Sequence, residues 1–554
     1  MNLSAANTYN GGTIINGGTL ALVNAGSLAA AGAVTLNVGT FDISGITPAT
    51  STTIGDLNTV SGTTVALGTN SLVFGTSTLN TAIAGAVIGT GTLVKNGTGS
   101  VTISNPNTLF TGGVALNAGT ILITNNSALG TGILAMANST ILSIESGVSA
   151  ANNIILGGAG TIDVSFGGPG TGTLSGNITG AGGSLIKTGV NTLALSGTNT
   201  YTNGTTIASG TLALVANGSL SPTGSVTVNG TGIFDISDLN ISGTTIGDLT
   251  TGANSSVVLG NKSLTFGTGN STIIAGLITG TGIGATLTKE GAGTVTMLNA
   301  NTFNGGVFLT QGQITIGNNT ALGGGLLTMS GGTTLSIESG ISASNNIALN
   351  GAVNMDVSLG GTGTLSGNIT GVSGSITKTG ANILALSGTN NFARGTTINA
   401  GTLALVTTGS LSSSGAVTVN AGTFDISGIN GPLTSIGELA TLSGSTVALG
   451  NKSLLFGTNI NTTIAGIISG SNGSIVKQGT GTATFSGAST FGGGATINAG
   501  TLALTGTGSF LATGAVTLNG SSVFDISGVT TTTGVTIGDL ATSLGRTLSL
   551  VLIA

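Results

Sequence analysis

Five stretches of this chain open on the same phrase, an apolar residue followed two positions later by lysine and four positions later by glycine. They are LVKNG from Leu93, LIKTG from Leu185, LTKEG from Leu287, ITKTG from Ile376 and IVKQG from Ile475. Each continues for roughly thirty residues and ends on a segment such as GTLAL, and a sixth copy from Leu3, LSAANTYNGGTIINGGTLAL, keeps the second half alone. Such repetition constrains a fold more than any single motif, because every copy has to occupy an equivalent place. Two kinds of spacer alternate between the copies. One carries FDIS (Phe41, Phe234, Phe424, Phe524) and then IGDL or IGEL (Ile54, Ile246, Ile436, Ile537); the other carries LSIESG (Leu142, Leu335) and GTLSGNITG (Gly172, Gly363). The long period is therefore roughly 190 residues, and it overrides the three or four globular domains that length alone would suggest. The expected organisation is one continuous β-solenoid over residues 1–554, in approximate units 1–92, 93–184, 185–286, 287–375, 376–474 and 475–554.

Within the copies, apolar residues recur two apart, as in Leu193 with Leu195, Val226 with Val228 and Phe234 with Ile236. This is the period of a strand buried on one face. The runs are short and end in Gly or Asn, which tolerate the positive φ of tight turns. No window holds a helical period. A propeller would need a blade period of about 40 to 50 residues, roughly half the interval seen here. Stacked coils fit better: inward Leu, Ile and Phe form ladders, outward Thr, Ser and Asn meet water, and Gly makes the corners. The expectation is all-β, a parallel β-helix of about 20 to 25 residues per turn, and at a strand spacing near 4.8 Å a rod on the order of 100 to 130 Å long.

Composition excludes several functions. With 9 Lys and Arg scattered singly against 14 Asp and Glu, no basic patch exists to neutralise phosphates, which argues against nucleic acid. Charged residues make up 4% of the chain, yet 39% is hydrophobic, so a core is available. Without Cys or His there is no disulfide, thiolate site or imidazole ligand. The longest apolar runs are far too short for a membrane helix. A membrane barrel would require aromatic girdles that 15 Phe and 2 Tyr do not supply. MNLSAANTY is not a signal peptide.

The repeat closely resembles the autotransporter-associated β-strand repeat, or passenger-associated transport repeat, of bacterial autotransporter passengers. In the copy from Leu185 the residues that carry the likeness are Lys187, Gly189, Leu193, Leu195, Ser196, Gly197, Asn199, Thr200, Tyr201, Gly204, Thr206, Ile207, Gly210, Thr211 and Leu212. The resemblance implies a right-handed β-helix, secretion to the bacterial cell surface in association with the outer membrane, and a role for the repeats in transport and folding of the passenger. It implies no catalytic activity. The family's C-terminal barrel translocator is not found in these residues.

Candidate chemistry is sparse. SLIKTG from Ser184 and SITKTG from Ser375 imitate the S-x-x-K and K-T-G signatures of serine β-lactamases, but there the motifs occupy separate elements. Here Lys187 and Lys378 read instead as outward charges that solubilise strand ends, so Lys187→Ala is expected to leave the fold intact. GPGTGTLSG from Gly168 imitates a phosphate loop without the helix that should follow. Asp42, Asp235, Asp425 and Asp525 fall between inward residues and so face outward; Asp56, Asp248, Glu438 and Asp539 fall at corners. Solvated or turn-bonding roles suit them better than calcium, sugar or proton transfer, and T-x-T pairs are too irregular for an ice-binding array. No catalytic, cofactor or metal residue is assigned, and no cofactor is expected. A passenger stalk leads, ahead of a glycan- or host-surface-binding adhesin and a polysaccharide-degrading enzyme. The chain starts within a copy and stops on the apolar TLSLVLIA, residues 547–554, so open ends, end-to-end association and its weakening by Val551→Pro are expected.

Overall fold

β-Branched and aliphatic residues that alternate with Thr and Ser, interrupted every few positions by Gly or Asn, have no means of sustaining a helix. The computed structural model describes residues 1–358, 360–531 and 534–543, and among these it is all strand and turn, with no helix. The strands pair in parallel with strands one turn earlier or later, most of them on both sides, which makes the chain a parallel β-solenoid. Residues 547–554, with Val551, lie outside the described residues, and so does the expectation placed on them.

The chain divides into two units, Met1–Gly267 with Ile273–Ala285, and Thr268–Thr272 with Thr286–Ala554. In the first, a seven-stranded sheet runs through Ser51–Thr53, Ser71–Phe74, Leu93–Lys95, Val114–Leu116, Leu134–Met136, Ile154–Leu156 and Ile178–Thr179. Its register stacks Leu72, Leu93, Val114, Leu134, Ile154 and Ile178 in one buried column. A second sheet of seven stacks Leu193, Leu212, Phe234, Val257 and Ile278 in the same way. In the second unit an eight-stranded sheet holds the column Leu384, Leu403, Phe424, Val447 and Ile468, and a six-stranded sheet holds Leu454, Ile475, Ala495 and Val516. Every member of these columns is buried. A large side chain so placed contributes about 1.5–3 kcal/mol relative to exposure, which is why the inward letters repeat while the outward ones drift.

Phe41, Phe234 and Phe424 of the FDIS segments are fully buried, as their parity requires. Phe524 is half-buried instead. Its strand, Val523–Val529, pairs on one side with Thr501–Gly506, and among the described residues no strand lies over its other side.

Candidate functional site

The repeat lysines do not face water. Lys95, Lys187, Lys289, Lys378 and Lys477 are each at most 2% exposed. Leu185 and Lys187 are two apart on the strand Ser184–Thr188 and therefore share its inner side. The same parity places the other four inward, and the reading of these lysines as outward charges is corrected. Lys187 Nζ donates to the carbonyls of Thr188 at 2.6 Å, Gly189 at 2.8 Å and, one turn later, Ser209 at 3.3 Å. Lys378 repeats this with Thr379, Gly380 and Ala400, and Lys477 with Gln478, Gly479 and Ala499. Lys95 binds the Gly97 and Ala118 carbonyls, and Lys289 those of Glu290 and Gly291. In Lys95, Lys187, Lys378 and Lys477 the ammonium thus fastens its own turn to the next.

A glycine kept in every copy adjoins this staple. Gly210, with φ +65°, lies so close beneath the staple that a Cβ there would sit 2.3 Å from the Gly189 carbonyl oxygen. The equivalent contact is 2.6–2.7 Å for Gly119 on Gly97, Gly312 on Gly291, Gly401 on Gly380 and Gly500 on Gly479. The carbonyl that accepts from lysine can be approached by glycine alone. Burial lowers the lysine pKa values: Lys187 and Lys378 fall to about 8, against an opposing pull from Asp163 and Asp356 respectively. Lys95 and Lys477 are lowered in the same way, opposed by Asp56 and Glu438.

A second staple is the asparagine of the S-G-x-N segment. Asn199 Oδ1 accepts from the Ile178 amide of the preceding turn at 3.0 Å, while Nδ2 donates to the carbonyls of Gly197 at 3.0 Å and Ser219 at 2.8 Å. Asn390 does the same with Ile369, Gly388 and Ser410. Asn107 joins Val87 to Ala128. The aromatic two residues on in the copies from Leu185 and Ile376, Tyr201 and Phe392, is buried, and the Tyr201 hydroxyl shares a hydrogen bond with Thr205 Oγ1 at 2.7 Å. Desolvation raises the Tyr201 pKa.

Several carboxylates accept hydrogen bonds, some within their own turn and some from the next. Asp42, Asp235, Asp425 and Asp525 are half-buried and accept from the amide two residues on, at 2.8–2.9 Å. The Ser527 hydroxyl and amide hold Asp525 below the usual carboxylate value. Asp56 accepts from Ser77 Oγ, and Glu438 from the Thr458 amide and hydroxyl. Asp163 and Asp356, which sequence reasoning passed over, collect hydroxyls from their own turn, Ser165 and Ser358, and from the turns on either side, Ser143 and Thr188 in one case, Ser336 and Thr379 in the other. Among the described residues no three acidic groups converge as a metal site would require. The Ser184 and Lys187 pair is a strand neighbour set whose lysine is occupied by carbonyls, unlike an activated nucleophile.

With this geometry in view, comparison with known proteins is specific. The passenger-associated transport repeat matches six times, at residues 1–22, 93–123, 185–214, 287–316, 376–405 and 475–504. The chain carries six copies of the passenger-associated transport repeat. Five of the six matches contain the lysine, four of those five also the asparagine, and the spacers between them carry the same strand pattern. The chain is also similar to an adhesin, the BmaC autotransporter of Brucella suis biovar 1 (strain 1330), with 32% identity over 446 residues, 72% of this chain and 12% of the relative. It thus spans about an eighth of that relative's length. No solved structure matches.

Proposed function

We propose that the chain is a non-enzymatic passenger segment of an autotransporter-like bacterial protein, exposed at the cell surface and associated with the outer membrane. The observation that carries this reading is that the recurrent lysines and asparagines are spent, copy after copy, on backbone groups between turns. Catalysis would need one singular cluster open to substrate, whereas these groups are repeated and enclosed. The stapled turns also supply a physical reason for a role in transport. Each strand pairs with one about 20 residues earlier, so an emerging turn meets a finished template, and closure of loops that short is entropically cheap. The lysine and asparagine then reach forward to the next turn.

The relative is an adhesin, and adhesion through the outer strand faces, to a glycan or another host-surface ligand, is the function proposed for this segment. The test is to fuse the chain to an outer-membrane translocator in a bacterial host. Surface display measured by external antibody, with adhesion of the displayed cells to epithelial monolayers above that of translocator alone, is expected. Retention of the wild-type fusion in the periplasm would contradict the passenger role, and display without adhesion would contradict the adhesive one.

A further inference from the structure

The two units carry equivalent sheets, and their outer faces have diverged. In the second unit, register aligns Thr294, Gln313, Thr334, Asn354 and Thr377 in one outward column and Thr296, Thr315, Ser336, Asp356 and Thr379 in the next. In the first unit the corresponding columns are Ser100, Thr120, Ile141, Thr161, Ile186 and Thr102, Leu122, Ser143, Asp163, Thr188. The inward residues barely change, Ile121 and Ile123 answering Ile314 and Ile316, and Leu142 and Ile144 answering Leu335 and Ile337. Outside, Leu122, Ile141 and Ile186 of the first unit give way to Thr315, Thr334 and Thr377. The result in the second unit is an open groove of about 570 Å³ whose lining residues all carry a hydroxyl, amide or carboxylate. Fold stability does not demand this, since the first unit holds the same sheet with aliphatic residues there.

We propose that this groove binds a neutral oligosaccharide, an inference that rests on the adhesive reading above and names its site. The chemistry selects the ligand. Gln313 Nε2 is committed to Thr315 Oγ1 at 3.1 Å and Ser336 to Asp356 at 3.1 Å. The Glu338 carboxylate makes no side-chain hydrogen bond among the described residues. It lies over Gly317, where an added Cβ would meet Oε2 at 2.8 Å; the first unit has Thr124 at that place. Outward-facing acceptors with no cation among them repel phosphate, sulfate and uronate, and accept from vicinal hydroxyls. Backbone groups of this sheet are paired on both sides, so an extended peptide cannot add as a strand. No apolar stripe is available to seat a helix. Five turns at about 4.8 Å give a polar track of roughly 20 Å, a length for a chain of sugars rather than one.

The test is calorimetric titration of the full chain with linear neutral tetrasaccharides (cellotetraose, maltotetraose, mannotetraose) and with tetragalacturonate. Saturable binding of at least one neutral probe, weakened at least tenfold by Thr315→Leu with Thr334→Ile and unaffected by Leu122→Thr with Ile141→Thr, is expected. Both pairs transplant residues that the fold already tolerates at the matching positions, and circular dichroism of each checks that it does. Absence of binding by all three neutral probes, equal binding of tetragalacturonate, or indifference to the T315L/T334I pair would overturn the proposal. Adhesion of displayed cells that survives T315L/T334I overturns the groove and leaves the adhesive reading standing; neutral-sugar binding by a chain that gives no adhesion does the reverse.

Discussion

A lysine within a β-solenoid core is tolerable because its ammonium ends on backbone carbonyls at the corner. Removing it is costly in two ways, through the unfilled stem and through the abandoned acceptors. Lys187→Ala is therefore expected to lower the local opening free energy around Thr188, Gly189 and Ser209 by about 2–4 kcal/mol, read as faster amide exchange confined to the adjoining turns. The same lysine gives a pH dependence of definite sign. Folded Lys187 and Lys378 release a proton near pH 8, whereas unfolded lysine does so near pH 10.4. Between those values the unfolded chain holds more protons, so stability rises with pH. Melting temperature is expected to climb from pH 8 to pH 10, with a smaller slope in Lys187→Met with Lys378→Met. The inward position was legible in the sequence, since Leu185 and Lys187 are two apart on one strand. A prior against buried charge overrode that parity. The carbonyl partners were not legible, because Ser209 belongs to another turn.

At the scale of the strand and its corner, hydrophobic alternation and glycine punctuation settle what is strand and which side is inward. Segments such as TLAL and FDIS read correctly on that basis, Phe524 excepted. Asparagine defeats the same reading: Asn199 looks like any turn residue until its bonds to Ile178 and Ser219 are seen. Asn199→Ala should expose that amide and carbonyl at a cost of about 1–3 kcal/mol, measured as exchange of the Ile178 amide in the preceding turn. In the copy from Ile475, Ser489 stands in the asparagine's place and accepts from Ile468 at 3.3 Å. Ser489→Asn is expected to slow exchange there, and unchanged exchange would deny the staple its general role. Asp163 and Asp356 escaped notice because each lies in a spacer, and their hydroxyl partners are set by register between turns of unequal length.

Over the whole molecule, the repeats specify one construction principle twice, in two units with matching interiors and different outer faces. The repeat and the parallel coil could be read from sequence because both are periodic; the polar groove could not, because it depends on which outward residues become neighbours. Far-ultraviolet circular dichroism should show β structure without a helical component. The most direct test of internal stapling is amine labelling of the native chain near pH 7.5, followed by mass spectrometry. Lys262 and Lys452, at half-exposed turn positions, should be modified, while Lys95, Lys187, Lys289, Lys378 and Lys477 stay protected until the chain is unfolded. A lowered pKa would make Lys187 and Lys378 the more reactive amines if the reagent could reach them, so their protection requires enclosure. Labelling of these five at the rate of Lys262 and Lys452 would contradict it.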